Sequence, residues 1–334
     1  MHKSIFFILF WLIKTCFSQE IQIIAKIEPK DRFYLEYLRS DSVTAESFAI
    51  DSSFIYLENF KLFERRNTYK WQYKQPFSKS NPSQIVDFSA LQVMKINNSL
   101  LNVALQFYDL NTGEKLSVLA DSGDYAVTFD EHVKYAYYDS TVYYFWLSGN
   151  LGRKAKFFCY DMLNQQVKHI PIPNYMNYIG EEYGVINCIL FSNNILFSVV
   201  TLYSKKPKGI YKRIISWNVF TDQRISEFEF DIHISRPKFI GEDKNQNIYL
   251  FSGVDNFEHR LYIFSQELKL QKIINMRDEM LKLPFMKDND FIIADAGRHS
   301  SIVCAFDDNK ELYLMVKTIK GIYFLRYKVL LDQK

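Results

Sequence analysis

The chain has 334 residues, 48% of them apolar and 17% aromatic, enough to bury a large core and too apolar for disorder. Eleven Gly, eight Pro and four Cys exclude collagen-like, low-complexity and disulfide-scaffold chains and leave little material for a flexible linker. Forty-one Lys and Arg against 38 Asp and Glu give a formal charge of +3, a balance without an electrostatic footprint for nucleic acid or an anionic bilayer.

Residues 1–18 read as a signal peptide. A basic start through Lys3 precedes the unbroken apolar run 5–13, shorter than the roughly 20 residues of a bilayer span. Cys16-Phe17-Ser18 then places small residues at −3 and −1 of a cut before Gln19. The competing reading, a lipid attached at Cys16, meets Ile13-Lys14-Thr15 where small residues are wanted. The mature chain, 19–334, is expected to be exported (periplasmic, cell-surface or extracellular), monomeric, a single domain, and without a transmembrane segment.

Residues 20–27 read as a lone strand. Beyond them, short runs rich in Ile, Val, Tyr and Phe alternate with Asn, Asp, Ser and Lys turns, an all-β signature. Two landmarks recur along these runs. An aromatic followed by a polar turn stands at Tyr108-Asp109, Tyr160-Asp161, Trp217-Asn218 and Phe264-Ser265, at spacings of 52, 57 and 47 residues. A polar turn leading into an aliphatic and aromatic strand stands at Tyr143, Leu196 and Tyr249, 53 residues apart each time, and again at Leu312-Tyr313-Leu314. A period near 50 with four strands is the size of a propeller blade. Units are expected at 46–75, 82–120, 124–171, 183–232, 236–275 and 298–328, the last with three strands. The expected fold is therefore all-β, a six-bladed β-propeller closed by the N-terminal strand pairing with the last blade, which removes an open sheet edge. Between the fifth and sixth units, residues 276–283 place apolar side chains at 276, 280 and 283, a helix ended by Pro284; it is either a cover on one face or a docking helix.

Residues 47–57 (Ser-Phe-Ala-Ile-Asp-Ser-Ser-Phe-Ile-Tyr-Leu), 241–250 and 306–314 resemble the blade opening of six-bladed propellers of the NHL type, with an aliphatic pair, an Asp turn and an Ile-Tyr strand. The resemblance implies the architecture rather than a ligand. Where that family commonly has Gly in the Asp turn, this chain has Ser53, Gln246 and Lys310.

Chemistry is sparse in the motifs. There is no Gly-x-Ser-x-Gly, Gly-x-x-x-x-Gly-Lys, Gly-x-Gly-x-x-Gly or His-Glu-x-x-His, and no two of the six His stand at a metal-pair spacing. Cys159, Cys188 and Cys304 each lie in an apolar run and are expected to be buried thiols. His169 and His233 read as surface or satisfied residues. Two loop clusters join carboxylates to His: Asp130-Glu131-His132, and Asp295 with Arg298 and His299. Loops at blade ends converge where propellers bind ligands, so these six are the binding candidates; catalytic and metal residues are expected to be none. No cofactor is expected; calcium is conceivable but has no motif behind it. Tyr135, Tyr137, Tyr138, Tyr143, Tyr144 and Trp146 read as packing between blades, with sugar stacking as the alternative. Asn97-Asn98-Ser99 is the sole glycosylation sequon. The expectation for function is an exported non-enzymatic propeller binding a protein or cell-envelope component; the alternative is an exported metal-dependent hydrolase or lyase with its site in the channel.

Overall fold

The computed structural model describes residues 21–29, 184–205, 208–254, 259–291 and 301–331. Between 48 and 171 it describes the strands named below and residues 164, 170 and 171. Residues 1–20 lie outside, and with them the expected signal peptide and Cys16.

Strand β1 (Ile21–Ile27) is followed by four strands of sheet 1: β2 (Phe48–Ile50), β3 (Phe54–Asn59), β4 (Arg66–Gln72) and β5 (Ser83–Phe88). Sheet 2 holds β6 (Val93–Ile96), β7 (Ser99–Asn102), β8 (Gln106–Asp109) and β9 (Lys115–Val118). Sheet 3 holds β10 (Val133–Tyr138), β11 (Thr141–Ser148), β12 (Lys154–Asp161) and β13 (Gln166–His169). Sheet 4 holds β14 (Gly184–Ser192), β15 (Ile195–Lys205), β16 (Lys208–Asn218) and β17 (Gln223–Glu229). Sheet 5 holds β18 (Ile234–Glu242), β19 (Ile248–Val254), β20 (His259–Phe264) and β21 (Leu270–Asn275). After helix α1 (Met276–Leu281), β22 (Ile302–Phe306), β23 (Leu312–Thr318) and β24 (Gly321–Tyr327) form sheet 6, in the order β1-β24-β23-β22.

Among the described residues the strands pair antiparallel with their neighbours in sequence, except that β1 lies on β24 with Ile21 opposite Tyr327 and Ile27 opposite Ile322, and a single bridge joins Phe291 to Thr318. First strands of successive sheets lie side by side: β22 by β2, β2 by β6, β10 by β14, β14 by β18, and β18 by β22. The fold is all-β and propeller-like, as the period in the sequence implies. One expected boundary needs correction. The polar stretch 73–82, with Pro76 and Pro82, reads as a break between units, yet Ser83–Phe88 is the fourth strand of sheet 1, with Arg66 opposite Phe88 and Lys70 opposite Ser83. A long hairpin connection and a boundary between sheets share the same composition, and only the pairing separates them.

The cores lie between sheets. Phe197, Val199 and Ile214 of sheet 4 meet Leu250, Tyr262 and Phe264 of sheet 5. Leu261 and Ile263 of sheet 5 meet Leu314, Val316 and Leu325 of sheet 6. Ala25, Ile27, Met315 and Phe324 of sheet 6 meet Phe48 and Ile50 of sheet 1, with the rings of Phe48 and Phe324 edge to face at 5.9 Å. Every residue of β23 is buried, which is why Leu-Tyr-Leu-Met-Val-Lys-Thr runs nearly unbroken in apolar character rather than alternating. Each fully buried aliphatic or aromatic side chain contributes about 1.5–3 kcal/mol. Gly321 sits at φ +136°, and a Cβ there would stand 2.5 Å from the Ile27 carbonyl oxygen, so β1 approaches β24 at a point only glycine permits.

The expected helix forms but ends at Leu281. Asn275 caps it, its Oδ1 accepting from the backbone N–H of Arg277 at 3.1 Å and of Asp278 at 3.4 Å. Met276 and Met280 are fully buried in the core between sheets 5 and 6, so α1 is a cover rather than an exposed docking helix. None of Cys159, Cys188 and Cys304 is in a disulfide. The expectation of three buried thiols holds for Cys304, whereas Cys159 and Cys188 are half-buried. Cys188 follows a bulge in β14, where the pairing with β15 slips at Asn187, and a bulge re-aims the side chains beside it. Burial pushes both the Cys304 and Cys159 thiols up.

Candidate functional site

Antiparallel order brings alternate connections to one end of a sheet, so the turns β14–β15, β16–β17, β18–β19, β20–β21 and β22–β23 share the same end of sheets 4 to 6. Three of them are one structure built from different residues. Asp243 Oδ1 accepts from the backbone N–H of Asn245 at 2.8 Å and of Asn247 at 2.9 Å. Asp307 Oδ1 does the same for Asn309 at 2.9 Å and Glu311 at 2.8 Å, and Ser265 Oγ for Glu267 at 3.2 Å and Lys269 at 3.4 Å. In each, the fourth residue is left-handed: Gln246 at φ 64°, Lys310 at 56° and Leu268 at 59°. Two of the three positions where the NHL resemblance expects Gly are therefore left-handed here without it, the Asp side chain holding the turn instead; Ser53 lies outside the described residues. Asp243 Oδ2 also accepts from Asn247 Nδ2 at 2.9 Å and from the Tyr249 hydroxyl at 3.1 Å. Burial, then the Asp243 charge, pushes the Tyr249 phenol up.

A polar clasp crosses the three sheets at this end. Glu242 accepts from Ser192 Oγ on one carboxylate oxygen and from Lys310 Nζ on the other, tying the last residues of β14 and β18 to the β22–β23 turn. Beside it, Glu311 Oε1 accepts from Arg326 Nη2 at 2.6 Å, with Lys244 Nζ 3.8 Å away. Hydroxyl, carboxylate and ammonium together are the ingredients of nucleophilic chemistry, but Ser192 is 1% exposed, out of a substrate's reach. The group joins sheets.

The β16–β17 turn differs. Asn218 Oδ1 accepts from the backbone N–H of Phe220 at 2.9 Å and of Thr221 at 3.0 Å. The Val219 N–H donates to the Asn194 carbonyl at 3.3 Å, and Trp217 Nε1 donates to Asp222 Oδ1 at 3.2 Å. Val219 is buried, and left-handed Asp222 (φ 53°) ends the turn. These contacts fix a backbone from which the Phe220 ring projects, 74% exposed. Sequence reading passed over Phe220 because one aromatic in a turn carries no period; the signal was that its neighbours Asn218 and Thr221 are turn residues, which places it outside any strand.

At the opposite end the chain from α1 to Phe291 is strapped onto the β23–β24 turn. Buried Asp290 accepts from Lys320 Nζ at 2.5 Å and from the Lys287 N–H at 2.8 Å, and Lys320 also donates to the Phe285 carbonyl at 3.2 Å. The bond from Lys320 holds the Asp290 carboxyl below its ordinary range. Arg277 pairs with Asp288 at 2.8 Å and lies 5.5 Å over the Phe291 ring. In sheet 4, burial lowers the Lys212 ammonium, which donates to the Ile234 carbonyl.

Asp130, Glu131, His132, Asp295, Arg298 and His299 all lie outside the described residues, as do the side chains of the aromatic group 135–146. They flank described strands: 130–132 precede β10, and 298–299 stand shortly before β22, both first strands of their sheets. His169 and His233 are exposed. Among the described residues no three His, Cys, Asp or Glu are grouped so as to hold a metal, and no helix is long and apolar enough to cross a membrane.

No family model matches the sequence, and no curated protein matches it. Among solved structures, a chain from the crystal structure of the mitotic checkpoint complex is similar over 93% of this chain and 96% of that one, at 12% identity and a TM-score of 0.47.

Proposed function

We propose that this chain is an exported, monomeric, non-enzymatic β-propeller of six NHL-like blades, closed by β1 on β24, that binds a protein or cell-envelope component through its turn end. The carrying observation is how polar groups are spent there. Among the described residues Asp243 and Asp307 are bonded to backbone amides, and Glu242 and Glu311 to Ser192, Lys310 and Arg326, so these four carboxylates are spent on holding turns and sheets together. Phe220, by contrast, is held outward by a fixed turn. An exposed aromatic on a pre-organised backbone is the anatomy of a contact surface, because little ordering cost remains to be met on binding.

The test is retention of solubilised envelope components by immobilised mature chain, with Phe220→Asp as the control. Retention by the parent and not by the variant supports the reading. In parallel, the mature chain is incubated with divalent metals and a panel of lactones, phosphoesters and glycosides. A metal-dependent turnover lost on changing Asp130, Glu131, His132, Asp295, Arg298 or His299 would replace this reading with the channel hydrolase or lyase.

A further inference from the structure

The longest strands among the described residues are β15 and β16, of 11 residues each, and they outrun their neighbours. The pairing of β14 stops at Gly184 opposite Leu202, and that of β17 at Glu229 opposite Arg213. Past those pairs the two strands continue alone, through Tyr203 opposite Ile210, Ser204 opposite Gly209 and Lys205 opposite Lys208. At roughly 3.4 Å per rung this two-stranded ribbon reaches about 10 Å beyond sheet 4, at the end that also carries α1. Its base is fixed: Leu202 is buried, Lys212 Nζ donates to the Ile234 carbonyl, and Arg213 Nε donates to Glu229 at 2.6 Å.

Residues 203–211 read Tyr-Ser-Lys-Lys-Pro-Lys-Gly-Ile-Tyr, and between Tyr183 and Thr221 there are five Lys and Arg with no Asp or Glu. The whole chain carries only +3, so everything outside this hairpin is net acidic. The balance read from composition is a sum that conceals a local concentration of positive charge. The outermost rung sets Lys205 against Lys208, and like charges directly opposite weaken a β ladder. With no carboxylate in either strand, an anion from outside is what relieves the repulsion. The register also places Tyr203 and Ile210 on the face of Lys205 and Lys208, and Tyr beside Lys is the composition found at membrane–water interfaces.

The positive charge does not extend into a track. Glu181 and Glu182 precede β14 in the sequence, and exposed Glu229 and Asp231 stand at the end of β17. A nucleic acid or other polyanion laid across this end would meet those acidic shoulders, whereas regularly spaced phosphates call for a stripe of cations. A plane touched by the ribbon alone avoids them, because about 10 Å is one screening length at about 0.1 M salt. We propose that the β15–β16 ribbon is a docking point for an anionic phospholipid bilayer, with Lys205 and Lys208 at the headgroup phosphates and Tyr203 and Ile210 at the interface. The contact lies at the end opposite the turn end and does not depend on the reading given for Phe220.

The experiment is co-sedimentation of the mature chain with vesicles of phosphatidylcholine, alone or with about a third of the lipid replaced by phosphatidylglycerol. Binding to the anionic vesicles only is expected, weakened about tenfold or more in about 0.5 M salt. Each Lys near an anionic surface changes partitioning about fivefold. Lys205→Gln with Lys208→Gln is therefore expected to weaken binding about 25-fold, without lowering the melting temperature, because a like-charge rung is removed. Lys244→Gln with Lys269→Gln takes the same charge from exposed positions at the turn end and is expected to leave binding unchanged. Equal binding to neutral vesicles, no binding to either, equal losses from the two double variants, or a lower melting temperature in the first would each overturn the docking point. Retention on double-stranded DNA that anionic vesicles fail to compete away would overturn it in favour of a polyanion. Phe220→Asp is expected to leave vesicle binding intact, so this inference and the turn-end reading fail separately.

Discussion

The two ends of sheets 4 to 6 are held by different kinds of contact. At the turn end, the turn side chains bond to backbone two to four residues away, as Asp243 does to Asn245 and Asn247. At the other end, the segment from Met276 to Phe291 is held by Lys320, which reaches Phe285 and Asp290 across 35 and 30 residues, and by methionines buried against two sheets. Apart from the clasp of Ser192, Glu242 and Lys310, turns held this way can be rebuilt one residue at a time with little consequence for the rest. Long-range straps carry the stability of the whole, because the chain entropy given up to form them is recovered only when both sheets are in place.

The contrast makes predictions that descend in size. Among the described residues the longest-range pairing is β1 on β24, so deleting residues 19–28 strips buried Ala25 and Ile27 from the core between sheets 6 and 1 and bares the β24 edge. Loss of cooperative thermal unfolding is expected; a deletion variant that melts like the parent would sink the closure proposal. At the strap, Met280→Ala opens a cavity under α1 and is expected to cost about 2–5 kcal/mol in urea unfolding. A value near zero would mean that α1 is ornament rather than cover.

Thiol labelling sharpens the difference between core and margin. Cys304, buried and with its thiol pushed up, is expected to react only on unfolding, while half-buried Cys159 and Cys188 react measurably in the native state. Equal native rates for all three would contradict the burial described above. The Asp290 to Lys320 strap predicts a pH dependence. A carboxyl held below its ordinary value adds stability that is fully present above the unfolded pKa of about 3.9 and is lost as the pH falls through the lower native value. Urea midpoints of the parent and Asp290→Asn should therefore differ at about pH 7 and converge under strong acid; a gap that persists there would rule out the charge as its source.

The smallest effect belongs to the turn end. Gln246 is left-handed and exposed, so Gln246→Gly is expected to stabilise by up to about 1 kcal/mol. Lys310→Gly, at the same place in its turn, should gain less because it also removes the bond to Glu242. Identical gains at the two positions would show that the clasp contributes nothing.

The sequence by itself determined the all-β class, the period and most strand positions, since alternation and turn residues act locally: sheets 3 and 4 fall inside the units expected at 124–171 and 183–232, β22 to β24 inside 298–328, and sheet 5 starts two residues before the unit expected at 236–275. It also marked the helix at Met276 and the strand at Ile21. It did not assign Ser83–Phe88 to its sheet, because pairing depends on a partner rather than on composition. Nor could it show that Gln246 and Lys310 replace glycine at left-handed positions, that two of three cysteines are only half-buried, or that Ser192, Glu242 and Lys310 meet across three sheets. The left-handed turns are local but show only in the backbone, whereas the burial of the cysteines and the meeting of Ser192, Glu242 and Lys310 depend on which strands lie side by side; the turn that carries Phe220 is likewise set by its backbone bond to Asn194, a packing of one turn on another that no residue type announces.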